Sequence, residues 1–178
     1  MTDPVLRAAL LRRSHSSVTP EAPSHEELLP LVAAASRVAD HSSLRPWRLI
    51  EIRGDARAKL GKALGKADGS KKPSDKPFRA SLLIAVVASR KKSKVPEWEQ
   101  DATAAGVAHL LSLLLDEAGW GVFWRTGDLT RAKAVRKAHR LEKNEELLGW
   151  LYVGGIHAKY LDARGKKPVD PTDYLSSL

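Results

Sequence analysis

The sequence predicts an α+β fold in which helices flank a sheet, and two observations support this prediction. Helical and strand patterns follow one another in the order helix, helix, strand, helix, strand, helix, strand, helix, strand. No Gly-x-Gly-x-x-Gly follows any of these strands, and no Gly-x-x-x-x-Gly-Lys-Ser/Thr is present, which excludes the usual phosphate loops of nucleotide-binding domains. The 178 residues correspond to one ordinary domain, or a tight pair of small ones, and suffice for a sizeable core.

Two helices are predicted before the first strand. Residues 4–13 form a short amphipathic pattern with Pro4 in its first turn and basic residues at its end, and both features suit helix termini. Residues 24–27 read Ser-His-Glu-Glu, a capping-box pattern in which side chains satisfy the first backbone N–H groups of a helix. A second helix is therefore predicted from His25 to about Ala39.

Four strands and the helices between them follow from the spacing of the apolar residues. Residues 47–53 alternate between apolar and polar side chains, as a half-buried strand does. Residues 82–88 (LLIAVVA) are apolar on both faces, which predicts a buried strand in the middle of the sheet. The other strands are predicted at 120–125 and 147–153, and the other helices at 55–66, 97–117 and 130–139.

These elements are predicted to form a single domain over residues 1–178. Residues 67–77 are polar, contain two Pro and one Gly, and have nothing to bury, so they predict a mobile surface loop rather than a domain boundary. The C-terminal tail, residues 156–178, is polar and has no strong hydrophobic period.

Composition excludes several functional classes. The absence of cysteine excludes disulfides, zinc fingers, iron–sulfur clusters and thiol catalysis. None of the six histidines forms a His-x-x-x-His pair, so no metal site is predicted. The longest apolar run, residues 82–88, is too short to span a bilayer, and the N-terminus lacks the apolar core of a signal peptide. A cytoplasmic protein without a membrane partner is therefore expected.

The net charge points to an anionic partner. Thirty Lys and Arg side chains against 21 Asp and Glu give a formal charge of +9 at pH 7. Such an excess suits nucleic acid, a membrane surface or a phosphorylated small molecule, and composition alone does not choose among the three.

A phosphate-binding cluster is predicted at the end of the first helix, where Arg12, Arg13 and Ser14 are consecutive. Guanidinium groups bind phosphate oxygens in bidentate fashion, and a hydroxyl adds a short hydrogen bond. The simpler alternative is that the basic residues only complement the negative end of the helix dipole.

Two further segments carry residue types that bind ligands. Arg37 and His41 flank a turn that leads into the Pro-Trp start of the first strand, and turns at a sheet edge commonly contact ligands. Trp124, Arg125 and Thr126 end a predicted strand, and a planar ring beside a guanidinium suits an aromatic anion. The alternatives are a surface histidine, a core tryptophan and a solvated arginine.

Five blocks of sequence, each weak alone, form an ordered and specific set over roughly residues 5–160. They are Arg-Arg-Ser at the end of the first helix, D-H-S-S-L-R-P-W before the first strand, K-P-F-R-A before LLIAVVA, K-V-P-E-W-E-Q before the long helix and G-W-G-V-F-W-R-T-G after it. In this order they resemble the nitroreductase family, most closely its small single-domain bacterial branch.

The resemblance implies an FMN-dependent oxidoreductase whose α+β fold has a central, mainly antiparallel sheet flanked by helices. Members of the family are intertwined homodimers with FMN at the subunit interface. They pass hydride from NADH or NADPH to the flavin and then reduce an organic acceptor, such as a nitroaromatic or a quinone, in a ping-pong scheme. No catalytic side chain is implied, because the cofactor carries the reaction.

The resemblance also implies which residues bind the cofactor. They are Arg12, Arg13, Ser14, Arg37, His41, Trp124, Arg125 and Thr126. The first three would hold the FMN phosphate and ribityl chain, the next two would contact the flavin, and the last three would line the isoalloxazine across the subunit interface. Lys159 falls where some members place a further phosphate-binding base.

Three departures from the pattern of the larger family members, P-S-S-x-N-x-Q-P-W, bear on the flavin pocket. Ser43 stands at the Asn position and Arg45 at the Gln position, and His41 replaces a Ser. The changes alter the flavin pocket, so an FMN-binding carrier protein with little turnover is an alternative function.

Nucleic-acid binding is a further alternative, because the chain carries a charge of +9. The basic residues are dispersed along the sequence, however, and no helix-turn-helix, RNP or zinc signature appears, so nucleic acid is not the expected partner. The same positive surplus favours NADPH over NADH as the electron donor, because NADPH carries an extra phosphate.

Overall fold

The computed structural model describes residues 3–160 and 169–178, which form a four-stranded sheet with five helices around it. The helices are α1 (Pro4–Leu11), α2 (His25–Ala35), α3 (Asp55–Ala67), α4 (Glu97–Glu117) and α5 (Lys133–Ala138). The strands are β1 (Trp47–Ile52), β2 (Leu82–Ser89), β3 (Trp120–Arg125) and β4 (Glu145–Gly155). Neighbouring strands are antiparallel in the order β1-β2-β4-β3, which confirms the predicted α+β fold.

Three observed helices differ from the predicted ones. Helix α1 ends at Leu11 rather than at residue 13. Helix α2 is shorter than predicted, because the Ser36 hydroxyl donates to the Ala33 carbonyl oxygen at 2.6 Å and the chain then leaves the helix. The helix predicted at 130–139 is instead a 3₁₀ turn, Asp128–Arg131, followed by α5. Ala132 between them has an extended backbone with φ −66° and ψ 137°, which interrupts the helix.

Strand β2 is buried along its whole length and separates two apolar cores. Successive side chains of a strand point to opposite faces. The even-numbered side chains from Leu82 to Val86 therefore pack on the core formed with α2 and α4, and the odd-numbered ones from Leu83 to Val87 on the core formed with α3 and α5. The predicted central strand is confirmed.

The polar segment predicted as a surface loop runs from the end of α3 at Ala67 to a 3₁₀ turn, Lys76–Arg79, and its backbone is hydrogen-bonded to α3. The Ser74 backbone N–H donates to the Gly61 carbonyl oxygen, and that of Ser70 donates to Gly65, each at 2.9 Å. A Cβ atom on Gly65 would overlap the returning backbone, so this close approach requires glycine. The loop is fastened along α3.

The polar C-terminal tail is described in part. A 3₁₀ turn, Ala158–Tyr160, follows β4, and a second one, Pro171–Asp173, is capped by the Asp170 carboxylate. Residues 161–168 lie outside the described residues.

Two arginines form ion pairs that connect the start of β4 with β1, with the end of β2 and with α4. Arg48 on β1 binds Glu145 through two nitrogens at 2.6 and 2.7 Å, and these hydrogen bonds lower the pKa of Glu145 to about 2. Arg90, just after β2, binds Asp101 on α4 and Glu146 on β4, each at 2.7 Å. Bidentate pairs of this kind fix geometry as well as adding energy. They hold one end of the sheet together and attach it to α4.

A buried histidine joins the end of α5 to the sheet. The His139 Nδ1–H donates to the Val135 carbonyl oxygen at 2.8 Å, and the Trp150 Nε1–H donates to His139 Nε2 at 2.9 Å. These bonds require a neutral imidazole, because a protonated Nε2 cannot accept the indole N–H. Burial lowers the pKa of His139 below its ordinary value of 6.5, although the bond to Val135 opposes the shift.

Because of this histidine, the protein is expected to lose stability in mild acid. A histidine with a lowered folded-state pKa binds fewer protons when folded, so its contribution to the free energy of unfolding falls as the pH drops below about 6.5 toward the folded value. His139→Gln removes the titration. Urea unfolding should show the variant to be about 1–3 kcal/mol less stable at neutral pH. This difference should narrow in mild acid, and a difference independent of pH would contradict the assignment.

Candidate cofactor site

The segment that follows α1 crosses the sheet near the ends of β3 and β4. Arg12 is the C-cap of α1, and the His15 backbone N–H donates to the Val122 carbonyl oxygen of β3 at 2.8 Å. Val18 lies against Gly154, where a Cβ atom would come within 2.7 Å of the valine side chain. The glycine on β4 therefore lets the segment lie close to the sheet.

Asp116, in the last turn of α4, anchors this segment. Its carboxylate accepts the Arg13 backbone N–H and lies 3.6 Å from His15 Nε2. Burial raises the pKa of Asp116 and lowers the pKa of His15, so both groups are closer to neutrality than in water. No sequence pattern singled out Asp116, because an acid at a helix C-terminus is ordinarily a solvated group that opposes the dipole.

A first cleft of about 240 Å³ opens between this segment, α4 and β3. It is lined by Arg12, Ser14, His109, Ser112, Val122 and Trp124. The Trp124 ring meets the His109 ring edge-on, with 5.0 Å between centroids. The first cleft thus combines a guanidinium and a hydroxyl with a flat aromatic wall.

A second cleft of about 460 Å³ lies on the other side of Trp124. The end of β3 and the loop after it, residues 123–129, form one wall, and Lys76, Arg79 and Tyr152 also line it. Lys76 and Arg79 come from the K-P-F-R-A block, to which the sequence analysis assigned no role. They are exposed cations at the cleft, and their proximity to the end of β3 is a result of the fold.

Arg125 extends over two aromatic rings in the second cleft. Its guanidinium carbon is 4.6 Å from the Phe123 ring centroid and 5.1 Å from that of Tyr152, and its Nη2 donates to the Ser16 carbonyl oxygen at 3.3 Å. Trp124 and Arg125 both line the second cleft, but their side chains leave the strand in different directions. Adjacent residues of a strand point to opposite faces, so Arg125 shares its face with Phe123 instead.

Two buried donors at the clefts have no hydrogen-bond partner within the described part of the chain. They are Trp124 Nε1 and Arg125 Nε. Buried N–H groups are ordinarily paired, and each unpaired one costs about 1–3 kcal/mol. Unpaired donors at a cleft suit a ligand that carries acceptor atoms.

Thr126 and Lys159 border the same region. Thr126 is exposed in the loop of the second cleft, and Gly127 after it has φ 124°, which favours glycine. Lys159 Nζ lies 4.9 Å from the Tyr160 ring centroid, and that ring meets the His15 ring edge-on at 6.1 Å. Lys159 itself lines neither cleft, and its role as a further phosphate-binding base stays a prediction.

Arg37 and His41 lie elsewhere in the same chain. His41 Nδ1 is 2.8 Å from the Glu99 carboxylate, near the start of α4. Glu99 and His109 are separated along α4 by about 15 Å, at 1.5 Å per residue. Neither Arg37 nor His41 lines the first or the second cleft within one chain.

The turn over residues 40–45 has an unusual backbone. Ser42, Ser43 and Arg45 have φ values of 60°, 53° and 49°. The Arg45 backbone N–H donates to the Asp40 carboxylate at 2.8 Å, which helps to hold the turn. Left-handed residues other than glycine are costly and cluster at ligand sites, so this turn is a second candidate contact region.

The first and second clefts fit FMN in their chemistry. Arg12 and Ser14 offer groups that bind phosphate, and Lys76 and Arg125 offer positive charge to the carbonyl and nitrogen acceptors of a flavin ring. Trp124 lines both clefts and offers a flat surface for the ring system. This set of donors therefore suits FMN.

Two kinds of feature are absent from residues 3–160 and 169–178. Within these ranges, no group of three or more His, Cys, Asp or Glu side chains could hold a metal ion. No helix formed by these residues has the length and apolar character needed to cross a bilayer.

Comparison with known proteins gave consistent matches. Residues 9–155 match the model of the nitroreductase family. The chain is 34% identical over 180 residues to "Putative NAD(P)H nitroreductase YdjA" of Escherichia coli strain K12, covering 96% of this chain and 97% of the relative. It is 28% identical to "Putative NAD(P)H nitroreductase" of Haemophilus influenzae, over 94% of this chain and 95% of the relative.

Solved structures match the fold. A nitroreductase-like family protein from Bacillus cereus has a TM-score of 0.83 at 20% identity, covering 100% of this chain and 97% of that one. A mutant of the FMN and NADPH-dependent nitroreductase NfnB, from sphigopyxis sp. strain HMH, has a TM-score of 0.76 at 15% identity, covering 97% of each chain. At these identities the likeness establishes the fold alone.

Asp116→Ala is expected to weaken FMN binding although Asp116 lines neither cleft. The change removes the acceptor of the Arg13 backbone N–H, a bond to a charged group worth about 1.5–3 kcal/mol, and releases the segment that presents Arg12 and Ser14. The dissociation constant of FMN, measured by quenching of flavin fluorescence, should rise about tenfold or more. Glu117→Ala, at the exposed neighbouring position, is the matched control. Equal FMN affinity in both variants would contradict the anchoring role.

Proposed function

The chain belongs to the nitroreductase family, and from that membership we propose that it is an FMN-dependent oxidoreductase that takes electrons from NAD(P)H. The observation that carries the proposal is the pair of clefts on either side of Trp124. One is lined by Arg12 and Ser14 and the other by Arg125 and Lys76, which matches the phosphate and the ring of one FMN.

In this proposal the residues of the chain bind and orient the cofactor. Arg12, Arg13 and Ser14 hold its phosphate, and Arg125 and Lys76 place positive charge beside its ring. FMN, when bound, supplies the chemistry, because it accepts hydride from a nicotinamide and passes electrons to an acceptor. No side chain has to act as a nucleophile or as a general acid.

We propose an organic acceptor such as a nitroaromatic or a quinone. The second cleft offers the aromatic walls of Phe123, Trp124 and Tyr152, and a flat conjugated acceptor suits such walls. Donor and acceptor would occupy the same space in turn, as a ping-pong scheme requires. NADPH is the favoured donor, because Lys76 and Arg79 suit its additional phosphate.

We propose further that the protein is a homodimer in which both subunits complete each FMN site. Val5 on α1 is 70% exposed, Leu10 is 53% exposed, and Trp98 on α4 is 70% exposed. Large exposed apolar side chains suit a protein interface, and here they occur on α1 and at the start of α4. A second copy with its α4 antiparallel to the first would bring Arg37 and His41 of the partner subunit toward the first cleft.

The proposal is tested on protein purified with FMN supplied. We expect a yellow flavin absorbance band that is lost when NADPH is added anaerobically and returns when a nitroaromatic or quinone replaces the donor. Light scattering should give a mass near twice the 19.5 kDa of one chain. A flavin band that neither NADPH nor NADH removes would favour the carrier alternative. Failure to bind FMN would contradict both functions.

Arg125→Gln is expected to lower the midpoint potential of the bound flavin. A cation beside the ring favours the reduced flavin, which carries more negative charge, and losing about 1.4 kcal/mol of this preference corresponds to about 30 mV for two electrons. Arg53→Gln, beside the opposite edge strand β1, is the control with the same charge change and should leave the potential unchanged. An unchanged potential in an Arg125→Gln protein that binds FMN would contradict the placement of this cation.

A further inference from the structure

Two segments of the chain carry a large excess of positive charge. Residues 55–79 contain eight Lys and Arg against three Asp and Glu, and residues 133–143 contain five against one. Together they carry nine more bases than acids, which equals the formal net charge of the whole chain. All other residues taken together carry as many acids as bases.

The fold brings these two segments to the same side of the sheet. Helices α3 and α5 pack against each other and bury Leu60, Leu64 and Val135 in the core on one face of β2. The backbone of the segment after α3 is hydrogen-bonded to that helix, so the bases of this segment lie on the same side of the sheet as α3 and α5. Bases that are dispersed along the sequence are therefore gathered in space.

Five lysines of α3 and α5 lie in two rows, because residues three or four positions apart share one face of a helix. Lys59, Lys62 and Lys66 lie along one face of α3, and Lys133 and Lys137 lie four residues apart along one face of α5. All five are exposed, and none forms an ion pair with a described residue. These five lysines are here called the basic face.

Two arginines in the same segments form hydrogen bonds to backbone carbonyl groups of the protein, whereas the lysines of the basic face form no ion pair with a described residue. Arg57 donates to the Ala80 carbonyl oxygen at 2.9 Å, and Arg136 donates to the Glu145 carbonyl oxygen at 2.9 Å. Lys76 and Arg79 line the second cleft and belong to the cofactor site. The ammonium groups of the basic face have no such internal role and are available to an external anion.

We propose that the basic face binds the phosphate backbone of double-stranded DNA without reading its sequence. Helix α3 has 13 residues and is about 20 Å long. Duplex DNA carries about twelve phosphates over that length, at one per 1.7 Å. Lysine offers a point charge to a phosphate, whereas base readout uses the planar forks of Arg, Asn or Gln, and the basic face has none of these.

A duplex suits this surface better than a membrane or an acidic protein. Membrane-surface helices place apolar side chains beside the basic ones, and protein interfaces rely on buried aromatic anchors. Within residues 55–79 and 133–143, which are described throughout, Phe78 is the one large apolar side chain that is strongly exposed, at 53%. The Arg57 guanidinium lies over its ring at 5.3 Å, so even this ring is partly covered.

The test measures binding of the FMN-supplied protein to a labelled duplex of about 20 base pairs and arbitrary sequence, between about 50 and 200 mM NaCl. Fluorescence anisotropy should give a dissociation constant in the micromolar range at the low-salt end. A plot of log affinity against log salt should have a slope of about −4 to −5, since each of five phosphate contacts contributes about −0.9.

The variant Lys62→Gln/Lys66→Gln/Lys137→Gln should reduce the magnitude of this slope by about 3, one for each lost contact. Its affinity at low salt should fall about tenfold or more. Should that protein fail to fold, Lys133→Gln/Lys137→Gln on α5 alone should reduce the slope by about 2. The fold of each variant is checked by its circular dichroism and its flavin content.

A matched control lies in the loop after β2. Lys91, Lys92 and Lys94 are exposed, lie outside the two basic segments, and their triple replacement by Gln removes the same total charge. This control should bind the duplex as the parent does. Because DNA binding does not depend on flavin reduction, the result is independent of the proposed oxidoreductase activity.

Four outcomes would overturn the proposal. If the two triple variants bind the duplex equally weakly, net charge alone accounts for the binding. An unchanged salt slope in the basic-face variant, or tighter binding to phosphatidylglycerol vesicles than to the duplex, would also overturn it. A lower kcat/KM for NADPH with unchanged DNA binding would assign the lysines to steering the electron donor instead.

Discussion

Burial of β2 on both of its faces is the constraint on which the rest of the structure depends. All eight of its residues, Leu82–Ser89, are buried. Removing one large aliphatic side chain from water is worth about 1.5–3 kcal/mol, so both faces have to be covered. Strands β1 and β4 satisfy the backbone of β2, and two helical layers, α2 with α4 and α3 with α5, cover its faces. The central sheet between two layers follows from this requirement.

The layered arrangement also determines where a ligand can bind. Strand β3 is an edge strand, so its end and the loop after it are accessible, whereas β2 is not. The segment after α1 crosses the sheet beside β3, and Asp116 on α4 holds it there. A site therefore forms where β3, α4 and the N-terminal segment meet, and Trp124 separates its two clefts.

The chain presents two chemically different surfaces. Helix α1 and the start of α4 expose large apolar side chains such as Leu10 and Trp98, which suit contact with another protein surface. Helices α3 and α5 expose lysines, which keep that layer hydrated and attract anions. Two different kinds of partner can therefore approach two different surfaces of one small protein.

Sequence alone predicted the fold class and the order of the strands and main helices, because hydrophobic periodicity and capping are properties of short segments. It also identified Arg12, Ser14, Trp124 and Arg125 as candidates through an ordered set of blocks. The tertiary structure decided that Trp124 and Arg125 face opposite ways, that Asp116 anchors the segment after α1, and that the lysines of α3 and α5 lie on one side of the sheet. These features depend on distances between residues far apart in sequence. Such distances are set by the packing of whole helices and strands, which no local pattern specifies.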